Sequence, residues 1–459
     1  MKPHYVLIGL LVGGCAVGPD YQRPEVALPA RFDGATAQRI GAVASEKWWQ
    51  TYNDVMLTRL VTRGLAQNLD VLLATEAVRR AEAQLRETGI NAALDGAATG
   101  SGEVFGGDAF DGVSNLGTAE LGASLVIDIF GGIRREREGA LASVTAARAD
   151  VETVRLAWLA ELLANYSDAR KYQELLALTR DTIRARRETV DITRSKYEAG
   201  AATEYEVAEA RALLSNARAA LPQYAALFDA SVYAIATLLN EPANPLMAQM
   251  QKGAPQLRTP GGASTGVPAE LLRNRPDVRR AEADLASAVA DVGVAEAALY
   301  PSLSLSGTVV RAGSVNAWSF GPELSLPIFN QGQLRASRDA EISAAKQAEI
   351  TWRAAVMDAV EDVQVAQSNL HRYRQRAVLL RTAADEYGHA LELAQENYRR
   401  GAITLLDLLE TDRNTASARI SAASAVADAA EAWAVLKIAT GAGSAATGAG
   451  SAATGQASN

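Results

Sequence analysis

Tyr398-Arg399-Arg400-Gly401-Ala402-Ile403-Thr404 and Tyr197-Glu198-Ala199-Gly200-Ala201-Ala202-Thr203 are the two stretches from which the chain is best read. Tyrosine, glycine, alanine and threonine recur in them at one constant offset. Each glycine closes a long amphipathic stretch and is followed by a shorter one. Glycine suits the left-handed position just past a helix C-terminus, and threonine then caps the next helix. Each stretch reads as the tip of a hairpin between two antiparallel helices. Either tip alone would pass as a surface turn; the pair marks an internal repeat.

Working outward, the helix before Gly200 is predicted over 134–198, roughly 100 Å at helical rise, and its copy over 333–399. Leu162, Ala169, Leu176, Ile183, Val190 and Tyr197 fall every seventh residue, as do Val363, Leu370, Ala377, Ala384, Leu391 and Tyr398. That spacing is a coiled-coil seam. The companion seam of the first copy is polar, with Gln173, Arg180, Arg187 and Arg194. After the tips the pattern predicts helices over 203–240 and 404–439, the first kinked at Pro222.

Ahead of each long helix the period changes to two. Strands are expected over 118–130, 302–312 and 317–329, and the glycine-rich 96–105 is assigned as their partner by analogy. Helices from about 70 to 94 and over 276–300 precede them, with a shorter helix from about Asn53. The repeats are thus 53–240 and 276–440, each running helix, two strands, long helix, tip, helix: a mainly α chain with a small β part. Residues 241–275 read as a proline-rich linker, and 441–459, with Gly-Ala-Gly-Ser-Ala-Ala-Thr twice, as a disordered tail.

The charge of −8 and the lack of any basic run argue against nucleic acid as partner. Lys2 and His4 precede the short apolar run Tyr5–Val12, so residues 1–14 read as a secretory signal, too short to span a bilayer. Gly13-Gly14-Cys15 resembles a bacterial lipobox, which implies cleavage before Cys15 and lipid on its sulfur; a buried free cysteine is the alternative. Ala16 is not the aspartate of inner-membrane retention, so the resemblance implies the outer membrane. Residues 15–52 form an extended segment, with Trp48 and Trp49 expected to pack on a helix.

Four strands in lipid would leave open edges of unpaired amides, and closed membrane barrels begin at about eight strands. Strands pooled from three chains would give twelve and leave a lumen. A soluble sheet covered by helices is the alternative; the signal and the apolar Trp318/Phe320 side favour the membrane. Strand parity makes Glu120 and Glu323 lumen candidates, six carboxylates around the pore of a trimer, favouring cations.

Cys15-Ala16-Val17-Gly18-Pro19-Asp20-Tyr21-Gln22-Arg23-Pro24, Trp48-Trp49, the run Leu271-Leu272-Arg273-Asn274-Arg275-Pro276-Asp277-Val278-Arg279-Arg280-Ala281-Glu282 and Tyr300-Pro301-Ser302-Leu303 carry a resemblance as a set. The chain resembles the TolC-like outer-membrane efflux family in its NodT/OprM-type lipoprotein branch. The resemblance implies a homotrimer with a 12-stranded outer-membrane β-barrel and a 12-helix periplasmic tunnel. It implies an exit duct without cofactor beyond the lipid on Cys15, served by a periplasmic adaptor and an inner-membrane RND-type transporter. It also implies a periplasmic gate at the tips beyond Gly200 and Gly401, with Tyr398, Asp407, Glu410 and Glu206 at matching positions. The family's arginine near the tip is Ile403 here, and Arg399 or Arg400 is the expected substitute.

Enzymatic chemistry finds little support. Histidine occurs at His4, His371 and His389, and Glu386 with His389 supplies one Glu-x-x-His where a di-iron bundle needs two. A structural coiled-coil surface lipoprotein and a duct for protein secretion are the rival readings. The alternating strand pairs, placed alike in both repeats, speak against a plain coiled-coil stalk.

Overall fold

The structure is a computed structural model that describes residues 16–32, 41–106, 114–262 and 266–445. Cys15, the signal over 1–14 and the tail beyond residue 445 lie outside the described residues. In chain order the first repeat forms α1 (Val55–Gln67), α2 (Leu69–Glu87), the single turn α3 (Ile90–Ala93), β1 (Leu94–Phe105), β2 (Ser114–Ile127), α4 (Gly132–Glu198) and α5 (Glu204–Leu238). Two linker helices, α6 (Ala243–Met250) and α7 (Pro268–Asn274), follow. The second repeat forms α8 (Pro276–Ala297), β3 (Ser302–Ala312), β4 (Val315–Ser325), α9 (Gln331–Arg399) and α10 (Leu405–Ala439).

The chain divides into two compact units, and both long helices contribute to each. The first unit takes residues up to Ala27, Ala74–Asp150 and Asp277–Ala355. It contains one antiparallel sheet in the order β1-β2-β3-β4, so the central β2–β3 pairing joins the two repeats. The segment after Cys15 is tied to this unit. Val17 donates its amide to the Phe130 carbonyl at 3.0 Å. The guanidinium of Arg135 donates to the Val17 and Gly18 carbonyls and to Asp20 at 2.7 Å. Gly18 has φ +85°, and a Cβ there would meet the Gly293 backbone at 2.5 Å, so only glycine allows this approach.

The second unit takes Leu28–Leu73, Val151–Pro276 and the chain from Val356. Its core is the buried seam: Leu162, Ala169, Val363 and Leu370 are enclosed, as the seven-residue spacing demands. Trp48 and Trp49 are also buried, and Trp48 packs edge-on against Trp433 of α10 with centroids 5.7 Å apart.

Several boundaries differ from the sequence expectation. The helix expected over 70–94 ends at Glu87, because Gly89 at φ +73° breaks it before β1 begins at Leu94. β2 and β4 start and end earlier than expected, at Ser114–Ile127 and Val315–Ser325. Helix α5 includes Pro222, as the single helix expected over 203–240 requires. The linker is partly helical; α7 starts with Pro268 in its first turn, and Glu270 reaches back to the Val267 amide at 3.2 Å. Residues 441–445, expected to open a disordered tail, are packed. Gly443 and Ala445 donate amides to Val43 and Ala44 at 3.1 and 2.9 Å, and the Ser444 hydroxyl bonds Glu152 at 3.1 Å.

Candidate functional site

The sheet has two chemically distinct faces, and the register shows which residues share each. Glu120 pairs with Thr99 and Val310, and Ser304 pairs with both Val126 and Glu323. Glu120 and Glu323 therefore stand on one face, as parity predicts. They are not at one level: six residues of strand separate their rows, about 20 Å at strand rise. Within one chain the two carboxylates thus stand at two levels of the sheet. Asp95, opposite Ser124, and Glu103, opposite Leu116, share the same face and extend it. The remainder is mostly serine, threonine, glycine and alanine, with Phe105, Leu116, Val126, Val310 and Val315 among them and no basic side chain among the described residues.

The opposite face presents Leu121, Leu125, Leu303, Leu305, Val309 and Leu324. Trp318 and Phe320 join them, 80% and 69% exposed. Arg311, near the β3–β4 turn, is the only charged side chain there among the described residues. The edges of this sheet are β1 and β4.

The tips form as the repeated motif requires. Gly200 and Gly401 have φ +74° and +75°. At each tip the glycine amide bonds the tyrosine carbonyl, and the following alanine amide reaches back five residues, at 2.8 Å in both copies. This Schellman arrangement satisfies carbonyls the helix end leaves free. Thr203 and Thr404 then cap α5 and α10 with reciprocal capping boxes, so Glu206 and Asp407 are the N3 partners. The Thr404 hydroxyl donates to Asp407 at 2.6 Å and holds its carboxyl below the usual carboxylate range, with help from the Thr404 amide.

Tyr398 is 3% exposed, whereas its repeat mate Tyr197 is 45% exposed. Its ring packs among Val190, Leu391, Leu405 and Leu408. Its hydroxyl lies 3.0 Å from that of Thr193, and burial pushes the phenol up. The cation at this tyrosine is Lys196, whose Nζ lies 3.9 Å over the ring and donates to the Tyr398 carbonyl. Arg399 instead pairs with Glu188 and Glu396, and Arg400 with Glu396 at 2.6 Å. Both arginines follow the tyrosine at the end of α9 and are exposed. Glu410, like Asp407, is exposed. The structure thus brings Tyr398 to Thr193 and Lys196 and leaves Asp407 with Thr404.

Sequence reading also missed a buried ion pair between α4 and α10. Arg186 Nε donates to Asp412 Oδ2 at 2.6 Å, with side chains 10% and 9% exposed, and Arg186 also donates to the Leu213 carbonyl at 3.1 Å. Burial raises the Asp412 carboxyl above its ordinary value, against the pull of Arg186. The positions matching these two at the repeat offset are Tyr387 and Arg211, so the pair occurs in one arm of the duplication and has no copy in the other.

Comparison with known proteins agrees in both repeats. The outer membrane efflux protein family matches residues 89–241 and 267–442. Nodulation protein T of Rhizobium leguminosarum bv. trifolii is 38% identical over 91% of this chain and 92% of its own length. The pyoverdine export outer membrane protein OpmQ of Pseudomonas aeruginosa is 30% identical over 90% of each chain. The solved outer-membrane channel OprN superimposes with a TM-score of 0.84 at 29% identity, over 94% of this chain and all of that one.

Proposed function

The chain belongs to the outer membrane efflux protein family of Gram-negative outer-membrane channels that extend into the periplasm, and from that membership we propose that it is the exit duct of a tripartite efflux system. Three copies supply the strands, and the sheet edges β1 and β4 pair between copies to close a twelve-stranded barrel. Unpaired strand edges in hydrocarbon would cost several kcal/mol per amide, and closure removes them. The apolar face with Trp318 and Phe320 meets lipid, and the face with Asp95, Glu103, Glu120 and Glu323 lines the lumen. Twelve helices from the same trimer form the periplasmic tunnel, and a periplasmic adaptor with an inner-membrane RND-type transporter delivers the cargo. Lipid on Cys15 anchors a mature N-terminus whose next residues bind at Phe130 and Arg135.

The gate lies at the tips, around Tyr398, Asp407, Glu410 and Glu206, with Arg399 and Arg400 holding the end of α9 through Glu188 and Glu396. No chemical step is catalysed; flow is driven by the partners. Pyoverdine export by OpmQ favours a small-molecule cargo over a secreted protein.

The two-faced sheet carries this reading. Planar-bilayer recording under a salt gradient tests it through the reversal potential. The wild-type pore should prefer cations, and the combined Asp95→Asn, Glu103→Gln, Glu120→Gln and Glu323→Gln variant should lose most of that preference. An unchanged preference in the neutralised pore would show that this face does not line the conduction path.

A further inference from the structure

In the second unit the strap Pro255–Gly261 borders, with α4, α9 and α10, an open cavity of about 790 Å³, with Arg258 and Arg381 exposed at its margin. Four guanidiniums line it: Arg258 from the strap, Arg374 and Arg381 from α9, and Arg419 from α10. None of the four forms an ion pair among the described residues, although the chain as a whole carries −8. Arg374 donates to the Pro260 carbonyl at 2.7 Å, and burial disfavours its charge. The Nε2 of Gln256, also on the lining, is buried without an acceptor.

Orphaned buried donors cost stability, and unpaired guanidiniums at a shared cavity repel one another. Glu174 and Asp385 reach the same cavity, but neither pairs with an arginine there, and the lining keeps an excess of positive charge. The remaining wall is largely alanine and valine, including Ala377, Ala422 and Val426. A volume of this order suits a small organic molecule, where an inorganic ion would leave most of the space to water.

We propose that this cavity binds a small organic anion, its carboxylate, sulfonate or phosphate held among Arg258, Arg374, Arg381 and Arg419 and its apolar body seated on the alanine wall. Guanidinium suits such groups because its fork of N–H donors matches their paired oxygens. Gln256 would then gain the acceptor it lacks.

Calorimetric titration of the full-length protein in lipid nanodiscs, with empty nanodiscs subtracted, tests this using naphthalene-2-sulfonate as the probe. Saturable binding of one probe per chain is expected, weakened by salt and weakened roughly tenfold or more by Arg374→Gln/Arg381→Gln. Arg381→Gln alone, at an exposed position, keeps the test valid if the double variant fails to assemble. Equal affinity in wild type and an assembled variant overturns the proposal. So does equal binding of uncharged 2-naphthalenemethanol, since charge would then play no part. Inorganic phosphate binding as tightly as the sulfonate would overturn the organic-anion assignment. Binding is read without any ion current, so its absence leaves the exit-duct reading untouched.

Discussion

Asp412→Ala should loosen the tip hairpins by an amount that follows from burial. It removes the partner of Arg186 at 2.6 Å in a site where both side chains are about nine-tenths enclosed. Breaking a buried pair from one side typically costs about 3–5 kcal/mol, because the remaining charge is left uncompensated. At about 1.4 kcal/mol per tenfold, amide exchange that runs through opening of this contact should speed up roughly a hundred- to several-thousand-fold. Hydrogen–deuterium exchange read by mass spectrometry on peptides spanning 182–190 and 408–416 measures it in the assembled protein. Replacing both partners, Arg186→Met with Asp412→Leu, should recover most of the protection, since apolar residues of similar volume need no compensation. The pH dependence has a definite sign. Burial raises the Asp412 carboxyl, so its contribution is full below the ordinary value of 3.8 and is lost as pH rises through the raised folded value. Protection should therefore grow as pH falls through that window, and Asp412→Asn should flatten the growth. Exchange in Asp412→Ala within a few-fold of wild type would refute the reasoning. A double variant worse than the single one would assign the loss to packing instead of charge.

Other consequences are as direct. Cys15→Ser should yield uncleaved or unlipidated precursor, and an unchanged N-terminal mass would exclude Cys15 as the lipid site. Arg135→Ala removes the donor that holds Val17, Gly18 and Asp20, so trypsin should cut at Arg23 faster than in wild type; equal cutting would mean the arm is held by other contacts. Tyr398→Phe with Asp407→Ala removes the Thr193 contact and the carboxylate arm of the α10 capping box together. It should raise single-channel conductance and vancomycin sensitivity, and equal conductance with intact trimers would place the constriction elsewhere.

What sequence made legible was whatever local chemistry repeats. The tips were readable because glycine past a helix end and threonine at the next N-cap each do one job. The strand faces were readable because parity alone separates Glu120 and Glu323 from Trp318 and Phe320. Asp95 and Glu103 escaped because β1 is glycine-rich and shows no clean alternation; only its register against β2 places them. The Arg186–Asp412 pair escaped for two reasons. Its partners are 226 residues apart, and the strict seven-residue polar seam runs through Arg187, whereas an α-helix drifts against that repeat and turns Arg186 inward. Lys196 gives no signal in the sequence, because a lysine one residue before Tyr197 looks solvated until the copy's Tyr398 is packed beneath it. The packing of 441–445 was hidden by composition: small residues that favour disorder alone also fit tightly against Val43, Ala44 and Trp48.

Neighbouring positions 120 and 121 give the most direct test that this sheet spans a membrane around water. Cys15 is the one cysteine of the sequence, so in a Cys15→Ser background Glu120→Cys and Leu121→Cys each offer a single thiol. A charged, membrane-impermeant thiol reagent applied to intact outer membranes should label Glu120→Cys and spare Leu121→Cys. Equal labelling of both, or labelling of Leu121→Cys alone, would contradict a lumen lined by the carboxylate face.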